Sequence, residues 1–301
     1  MEVMVIEDAL RAQPDDFAAW HAYSDRLLEQ GDARGALIRL EQRLPRTRPA
    51  DRPAVRREIA DLVAEHESRW DDGLPDQARV LARRHGFAAE VAVEWSDDVR
   101  EVVAQVLRAP FVTTLRITPA PAPEDEEWEG DGEDYLAVDP GEPRPGSLDV
   151  RALAGLDLGR LTELDLAHLS IGFNGAELLA TLFTSDRLRA LDLRYCRVAD
   201  TGLAALAASP SLGGLRRLHL QRNKVSAEGV RHLHRFTGLA ELDLRYNDLG
   251  EAGAEALLAA PFVMSLTRLW LYDADVGQDG VRKLAQAENL PTELRSLWRC
   301  V

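Results

Sequence analysis

One apolar pattern, L-x-x-L-x-L, recurs five times in the C-terminal half of the chain. Its copies are LTELDLAHLSI (161–171), LRALDLRYCRV (188–198), LRRLHLQRNKV (215–225), LAELDLRYNDL (239–249) and LTRLWLYDADV (266–276), spaced 27, 27, 24 and 27 residues apart. A glycine follows four residues after each copy and introduces a short apolar helical run: Gly175, Gly202, Gly229, Gly253 and Gly280. Each copy therefore predicts a strand, a turn and a helix. A half-copy, LRSLWRCV (294–301), predicts one more edge strand.

A single strand–turn–helix unit cannot bury its own leucines, whereas stacked parallel strands about 4.8 Å apart form a continuous apolar core. The copies resemble leucine-rich repeats of the ribonuclease-inhibitor-like class over residues 161–301. The resemblance implies an α/β leucine-rich-repeat solenoid, with parallel strands on a concave face and helices on the convex face. The position that is usually Asn in such repeats holds Leu169, Cys196, Asn223, Asn247 and Ala274.

Apolar spacing predicts helices over residues 1–46, with a helix start at Pro14–Asp16 and a turn at Gly31–Asp32. A further helix is predicted over 51–70. Residues 14–42 resemble the repeat-companion domain that precedes leucine-rich repeats in bacterial proteins. The matching residues are Pro14, Asp15, Asp16, Tyr23, Asp25, Leu27, Leu28, Glu29, Gly31, Asp32, Arg34, Gly35, Ile38, Arg39 and Leu40. This resemblance implies an N-terminal all-helical cap domain and brings no catalytic residues.

Weaker repeat-like features lie between these two regions. Alternation of apolar residues predicts a strand over 84–95, and amphipathic spacing predicts a helix over 99–109. The apolar residues Val112, Leu115 and Ile117 predict a second strand within 109–118. We therefore expect degenerate first repeats or a junction there. The predicted organisation is a companion domain (1–70), a junction (71–118), an acidic Pro/Gly-rich insertion (119–147) and the repeat solenoid (148–301).

Charge narrows the possible partners. The chain carries 36 basic and 51 acidic residues, a formal charge of −15, which argues against general nucleic-acid binding and against anionic membranes. No stretch approaches the roughly 18 apolar residues that span a bilayer, so a cytoplasmic protein is expected. Cys196 and Cys300, the two cysteines, cannot build a disulfide framework or a four-cysteine zinc site.

The insertion carries much of that negative charge. Residues 119–146 hold ten acidic residues and one arginine, which is too polar a composition for a packed core. One interpretation is a solvated insertion. The other is an acidic strip carrying Trp128 and Tyr135, which binds a basic partner or covers the sheet.

Period-two alternation places one set of side chains on the sheet surface away from the helices, here called the open face. Tyr, Trp and Arg, the residue types enriched in interface hot spots, recur in this set. The predicted partner-binding residues are Asp192, Arg194, Tyr195, His219, Arg222, Asp243, Arg245, Tyr246, Trp270, Tyr272 and Trp298. The structural alternative is that these side chains only form stabilising cross-strand pairs.

Three functions remain open. The first is a non-enzymatic module that binds a protein or peptide on the open face, with no cofactor. The second is a regulator or inhibitor that sequesters a basic enzyme or GTPase, using the acidic insertion to attract it. The third is a metal-dependent enzyme centred on Asp192, His219 and Asp243, which share one row on successive strands. Neither the partner's identity nor the oligomeric state follows from the sequence.

Overall fold

The computed structural model describes residues 2–119 and 149–298, and the expectations for 120–148 lie outside this range. The chain divides into two compact units. The first comprises Met1–Ala92 and Ala104–Thr113, and the second Val93–Val103 and Thr114–Val301. Within the described ranges, no helix is both long and apolar enough to cross a bilayer.

The first unit begins with four helices where the sequence predicts them. They are α1 (Glu2–Ala12), α2 (Phe17–Glu29), α3 (Arg34–Arg43), followed by a 3₁₀ turn (Leu44–Arg46), and α4 (Arg52–Trp70). The Asp16 carboxylate caps α2, since its Oδ1 accepts from the backbone N–H groups of Ala18 at 2.9 Å and Ala19 at 3.0 Å. The predicted helix start at Asp16 is therefore confirmed.

A two-stranded hairpin completes this unit. Strands β1 (Ala78–Arg84) and β2 (Phe87–Glu94) are joined by two residues with positive φ, His85 at 51° and Gly86 at 81°. The apolar pattern predicts a strand only from residue 84 and gives no sign of β1, because the half-buried β1 sequence ARVLARR lacks clear apolar alternation. The helices and the hairpin share one core, formed by Leu10, Trp20, Tyr23, Leu27, Ile38, Phe87 and Phe111.

The second unit is built on six parallel strands that follow one another in chain order. They are β3 (Thr114–Thr118), β4 (Glu163–Asp165), β5 (Ala190–Asp192), β6 (Arg217–His219), β7 (Glu241–Asp243) and β8 (Arg268–Trp270). Their register aligns one buried leucine per strand: Leu115, Leu164, Leu191, Leu218, Leu242 and Leu269. The predicted parallel sheet of stacked repeats is confirmed.

The helices of this unit lie before or after its strands, and residues 104–106 of the first helix belong to the first unit. They are α5 (Val99–Val106), α6 (Gly172–Leu182), α7 (Ala199–Ala208), α8 (Ala227–His232), α9 (Gly250–Leu258), α10 (Asp273–Gln286) and α11 (Thr292–Leu297). The repeat helices α6 to α10 start before the glycine that marks each copy. Gly175, Gly202, Gly229 and Gly253 lie in the first turn of their helices. Gly280 is the eighth residue of α10, which contains a kink at Gly277 with φ of 68°.

Buried side chains at the end of each strand tie neighbouring repeats together. The Asn247 amide accepts from the backbone N–H groups of Asn223 and Val225, each at 3.0 Å, and donates to the carbonyls of Leu220 and Leu244, each at 2.9 Å. Unpaired backbone groups would be costly at this depth, so the amide stabilises both turns.

The same position differs in the flanking repeats. Cys196 directs its Sγ at the Leu166 carbonyl, 3.0 Å away, and burial raises the pKa of its thiol to about 12. In the last repeat the residue predicted at this position, Ala274, is exposed. Asp275 is buried instead and bonds the backbone groups of the neighbouring turns. The Asp275 carboxylate accepts from the Tyr272 backbone N–H at 2.7 Å and from the backbone of Tyr246 and Asn247.

The predicted C-terminal edge strand is wrong in its described part. Residues Thr292–Leu297 form helix α11, and buried Trp298 follows it, so Trp298 does not extend the central row of the sheet. Leu294 and Trp298 are four residues apart, a spacing that fits one helical face, and Pro291 precedes the helix. The apolar pattern is thus compatible with either structure.

Candidate functional site

The strand register sets the open face out in rows. An outer row contains Thr114, Glu163, Ala190, Arg217, Glu241 and Arg268, and a central row contains Arg116, Asp165, Asp192, His219, Asp243 and Trp270. From β4 to β8 the rows are those that alternation predicts. The two β3 residues were missed, although Arg116 lies between the apolar Leu115 and Ile117 in the sequence.

Two aspartates of the central row hold arginines of their own strands in place. Asp192 Oδ1 accepts from the backbone N–H of Arg194 at 3.1 Å and from its guanidinium Nε at 2.9 Å. Asp243 binds Arg245 in the same way, and its Oδ2 accepts from Arg245 Nη2 at 2.6 Å. The carboxylates thereby fix the direction of both guanidinium groups.

These pairs decide which side chains a partner can reach. Asp243 is only 3% exposed, so its carboxylate supports Arg245 rather than facing outward. The hydrogen bond to Asp243 raises the pKa of Arg245, and that to Asp192 raises the pKa of Arg194. Both arginines therefore stay charged, with part of each side chain at the surface.

Further ion pairs make the face nearly neutral. Arg116 Nε lies 2.9 Å from Asp165 Oδ2, Arg217 pairs with Glu163, and Arg268 Nη1 lies 3.3 Å from Glu241 Oε1. Burial raises the pKa of Asp165 in spite of its arginine partner. Since each of these arginines has a carboxylate beside it, the face presents polar groups without a large net field.

His219 lies between a carboxylate and an indole ring. Its Nδ1 is 3.1 Å from Asp192 Oδ2, and its ring stands nearly perpendicular to that of Trp270, with centroids 5.7 Å apart. The His219 Nε2 atom is buried and has no hydrogen-bond partner in residues 2–119 and 149–298. In the same ranges, no three His, Cys, Asp or Glu side chains are arranged to hold a metal ion.

Aromatic side chains line the edge of the face where the strands end. His168, Tyr195, Arg222 and Tyr246 occupy one position in four successive repeats, each with φ between 54° and 69°. Because this left-handed conformation recurs from repeat to repeat, it belongs to the turn geometry. The His168 and Tyr195 rings stack with centroids 4.4 Å apart, and burial lowers the pKa of His168.

Tyr246 and Tyr272 form the most exposed part of this edge. They are 53% and 39% exposed, and their ring centroids are 5.0 Å apart with an interplanar angle of 64°. The Arg245 guanidinium lies 6.0 Å from the Tyr272 ring centroid. The structure thus brings Arg245, Tyr246 and Tyr272 together at this edge of the open face.

Comparison with known proteins identifies the repeat region. Three segments, residues 188–207, 215–233 and 239–258, match the family model described as Leucine Rich repeat. No curated protein matches the chain significantly. The matched segments contain β5 to β7 with α7 to α9, and these are the repeats in which the buried Asn223 and Asn247 lie.

Proposed function

Because residues 188–258 are leucine-rich repeats, we propose that this chain is a non-enzymatic protein that binds a protein or peptide on its open face. Leucine-rich repeats are generally protein-interaction modules. The proposed binding residues are the exposed arginine and aromatic side chains of β5 to β8 and their turns. Asp192 and Asp243 act as positioning residues for Arg194 and Arg245.

The observation that carries this proposal is the exposed pair of tyrosines, Tyr246 and Tyr272. Two large aromatic side chains at the surface offer apolar contact area and a hydroxyl each, and their mutual contact restrains both. A restrained side chain loses less conformational entropy when it is buried by a partner. The pair is therefore a suitable anchor.

The charges of the open face favour a partner of mixed polarity. Arg116, Arg194, Arg217, Arg245 and Arg268 each have a carboxylate partner within the face. A uniformly charged polymer gains little from such a surface, whereas a folded protein or an extended peptide can match its alternating charges.

We further infer that the repeats are of the ribonuclease-inhibitor-like class and that residues 1–70 are a repeat-companion domain. The positions that carry the second resemblance have structural roles. Tyr23, Leu27 and Ile38 lie in the core of the first unit. A Cβ atom at Gly35 would lie 2.6 Å from the Ser24 carbonyl oxygen, so this position requires glycine.

For the test, peptides that bind the wild-type chain are first selected from a random library. The affinity of these peptides for the wild-type chain is then compared with their affinity for two double variants. We expect Tyr246→Ala/Tyr272→Ala to weaken binding at least about tenfold, measured by fluorescence anisotropy, because hot-spot tyrosines contribute about 2 kcal/mol each. The control is Met264→Ala/Leu297→Ala, which removes two large apolar side chains elsewhere that are even more exposed than the tyrosines. If the selected peptides bind all three chains equally, the open face is not the binding site.

A further inference from the structure

A second surface with a different character lies in the first unit, where α3 leads into α4. Residues 43–58 contain six arginines against two acidic residues, Asp51 and Glu58, in a chain whose formal charge is −15. We call this the basic surface. Its arginines are Arg43, Arg46, Arg48, Arg52, Arg56 and Arg57.

Local contacts hold the basic surface together. Arg43 Nη2 lies 2.5 Å from Glu58 Oε2, which joins the end of α3 to α4. Arg52 Nε donates to the Thr47 carbonyl at 3.1 Å, and its Nη2 donates to the Pro45 carbonyl at 3.2 Å. Prolines 45, 49 and 53 restrict φ along the same segment. The arginines thus project from a restrained backbone.

Three of these arginines face solvent without a charged partner. Arg48, Arg56 and Arg57 are exposed and make no ion pair with any residue in the described part of the chain. Arg46 lies over the ring of Phe17, with its guanidinium 4.3 Å from the centroid, and Phe17 is itself 42% exposed. On the open face, by contrast, the central-row and outer-row arginines are neutralised by carboxylates.

We propose that the basic surface docks a carboxylate-rich segment of a partner protein. The unpaired guanidinium groups supply charge complementarity and bidentate hydrogen bonding to carboxylates. Exposed Phe17 beside Arg46 can receive an apolar or aromatic side chain of that segment. This interaction is separate from binding on the open face, which rests on other residues.

The charge of the whole chain favours a short acidic segment over an extended polyanion. The attraction of the basic surface reaches only about one Debye length, roughly 8 Å at physiological salt. A nucleic acid or an anionic membrane would extend past it and meet a chain of formal charge −15. A short acidic segment gains the local attraction without that repulsion.

The experiment uses fluorescence anisotropy to measure how tightly the full chain binds a fluorescein-labelled peptide. The peptide has about 15 residues, with Glu at alternate positions and one Phe. We expect binding that weakens as salt is raised. The variant Arg48→Glu/Arg56→Glu/Arg57→Glu should weaken it at least about tenfold. The control Arg108→Glu/Arg151→Glu/Arg235→Glu makes the same change in net charge at exposed arginines elsewhere and should alter affinity less than about twofold. Thermal melts of all chains verify folding.

Several results would overturn the proposal. These are no binding of the peptide, equal losses in both triple variants, or equal binding of a peptide with Gln in place of Glu. Tighter binding of a single-stranded oligonucleotide or of phosphatidylserine vesicles would assign the surface to another class of partner. Binding that appears only after residues 121–146 are deleted would make the chain's own acidic segment the occupant instead.

Discussion

Asp192 shows how a single residue on the open face serves the fold and the proposed site together. Its carboxylate accepts hydrogen bonds from the Arg194 backbone, the Arg194 guanidinium and the His219 ring. Burial by itself raises the pKa of Asp192, but the hydrogen bonds from His219 and Arg194 outweigh it, so the pKa lies below its ordinary value. The ionised carboxylate is therefore the stabilising form.

From this lowered pKa we predict that Asp192→Asn lowers the free energy of unfolding at pH 7 by about 1 kcal/mol. The expected loss is this small because Arg194 is partly exposed and solvent screens its attraction to Asp192. A group with a lowered folded-state pKa contributes stability above its unfolded-state pKa and loses it as pH falls through the folded-state value. The difference between wild type and variant in urea unfolding should thus shrink as the pH falls below the ordinary aspartate pKa of about 3.9. The exposed Asp186→Asn variant is the control, and a difference that is constant with pH would contradict the assignment.

At the scale of elements, close packing between two neighbouring repeat helices depends on Gly202. A Cβ atom at Gly202 in α7 would lie 2.9 Å from Ala176 Cβ and 3.2 Å from Phe173 Cα, both on α6. Such separations require a shift of one helix. Glycine is thus needed at this position for close contact between α6 and α7, although the sequence shows it only as a marker of the helix.

We predict that Gly202→Ala lowers the free energy of unfolding by about 1–2 kcal/mol, because the cost of overpacking exceeds the gain in helix propensity. Gly213→Ala is the matched control, since the nearest atom to its new Cβ would be the Pro210 carbonyl oxygen at 3.6 Å. That variant should change stability by less than about 0.5 kcal/mol. Equal stability of the two variants in denaturant unfolding would contradict this prediction, because it would show that α6 and α7 accommodate the added Cβ atom without cost.

At the scale of the whole molecule, the described strands of the second unit follow chain order, so each repeat depends on its immediate neighbours. Backbone hydrogen bonds continue this linkage beyond the strands. Leu193 N–H donates to the His219 carbonyl at 2.9 Å, and Leu220 N–H donates to the Asp243 carbonyl at 2.8 Å. Repeats with neighbours on both sides should therefore open least often.

This arrangement predicts a gradient in native-state hydrogen exchange. The Leu193 and Leu220 amides should exchange at least about tenfold more slowly than the Arg268 amide. Arg268 lies on β8, the last described strand, and its N–H donates to the Ala240 carbonyl at 3.1 Å. Mass spectrometry or NMR at constant pH measures the difference. Uniform protection would mean that the repeats open as one cooperative unit.

The sequence by itself determined the repeat architecture and the rows of the open face. Strands β4 to β8 and the buried leucines follow from the L-x-x-L-x-L period, since burial along a strand alternates with a period of two. The N-terminal helices follow in the same way from caps and apolar spacing, as Asp16 shows. Burial that repeats at a fixed spacing places apolar residues at that same spacing, so it can be seen in a single sequence.

Tertiary structure decided the features that depend on neighbours in space. It buries Asp243 and leaves Tyr246 exposed, although the sequence assigns both residues to the open face. It placed Asp275 rather than Ala274 among the backbone groups of the preceding turn. It also selected a helix for Thr292–Leu297, where the apolar pattern fits two periods. Hydrogen-bond partners and exposure are set by residues distant in the chain, and local pattern contains no record of them.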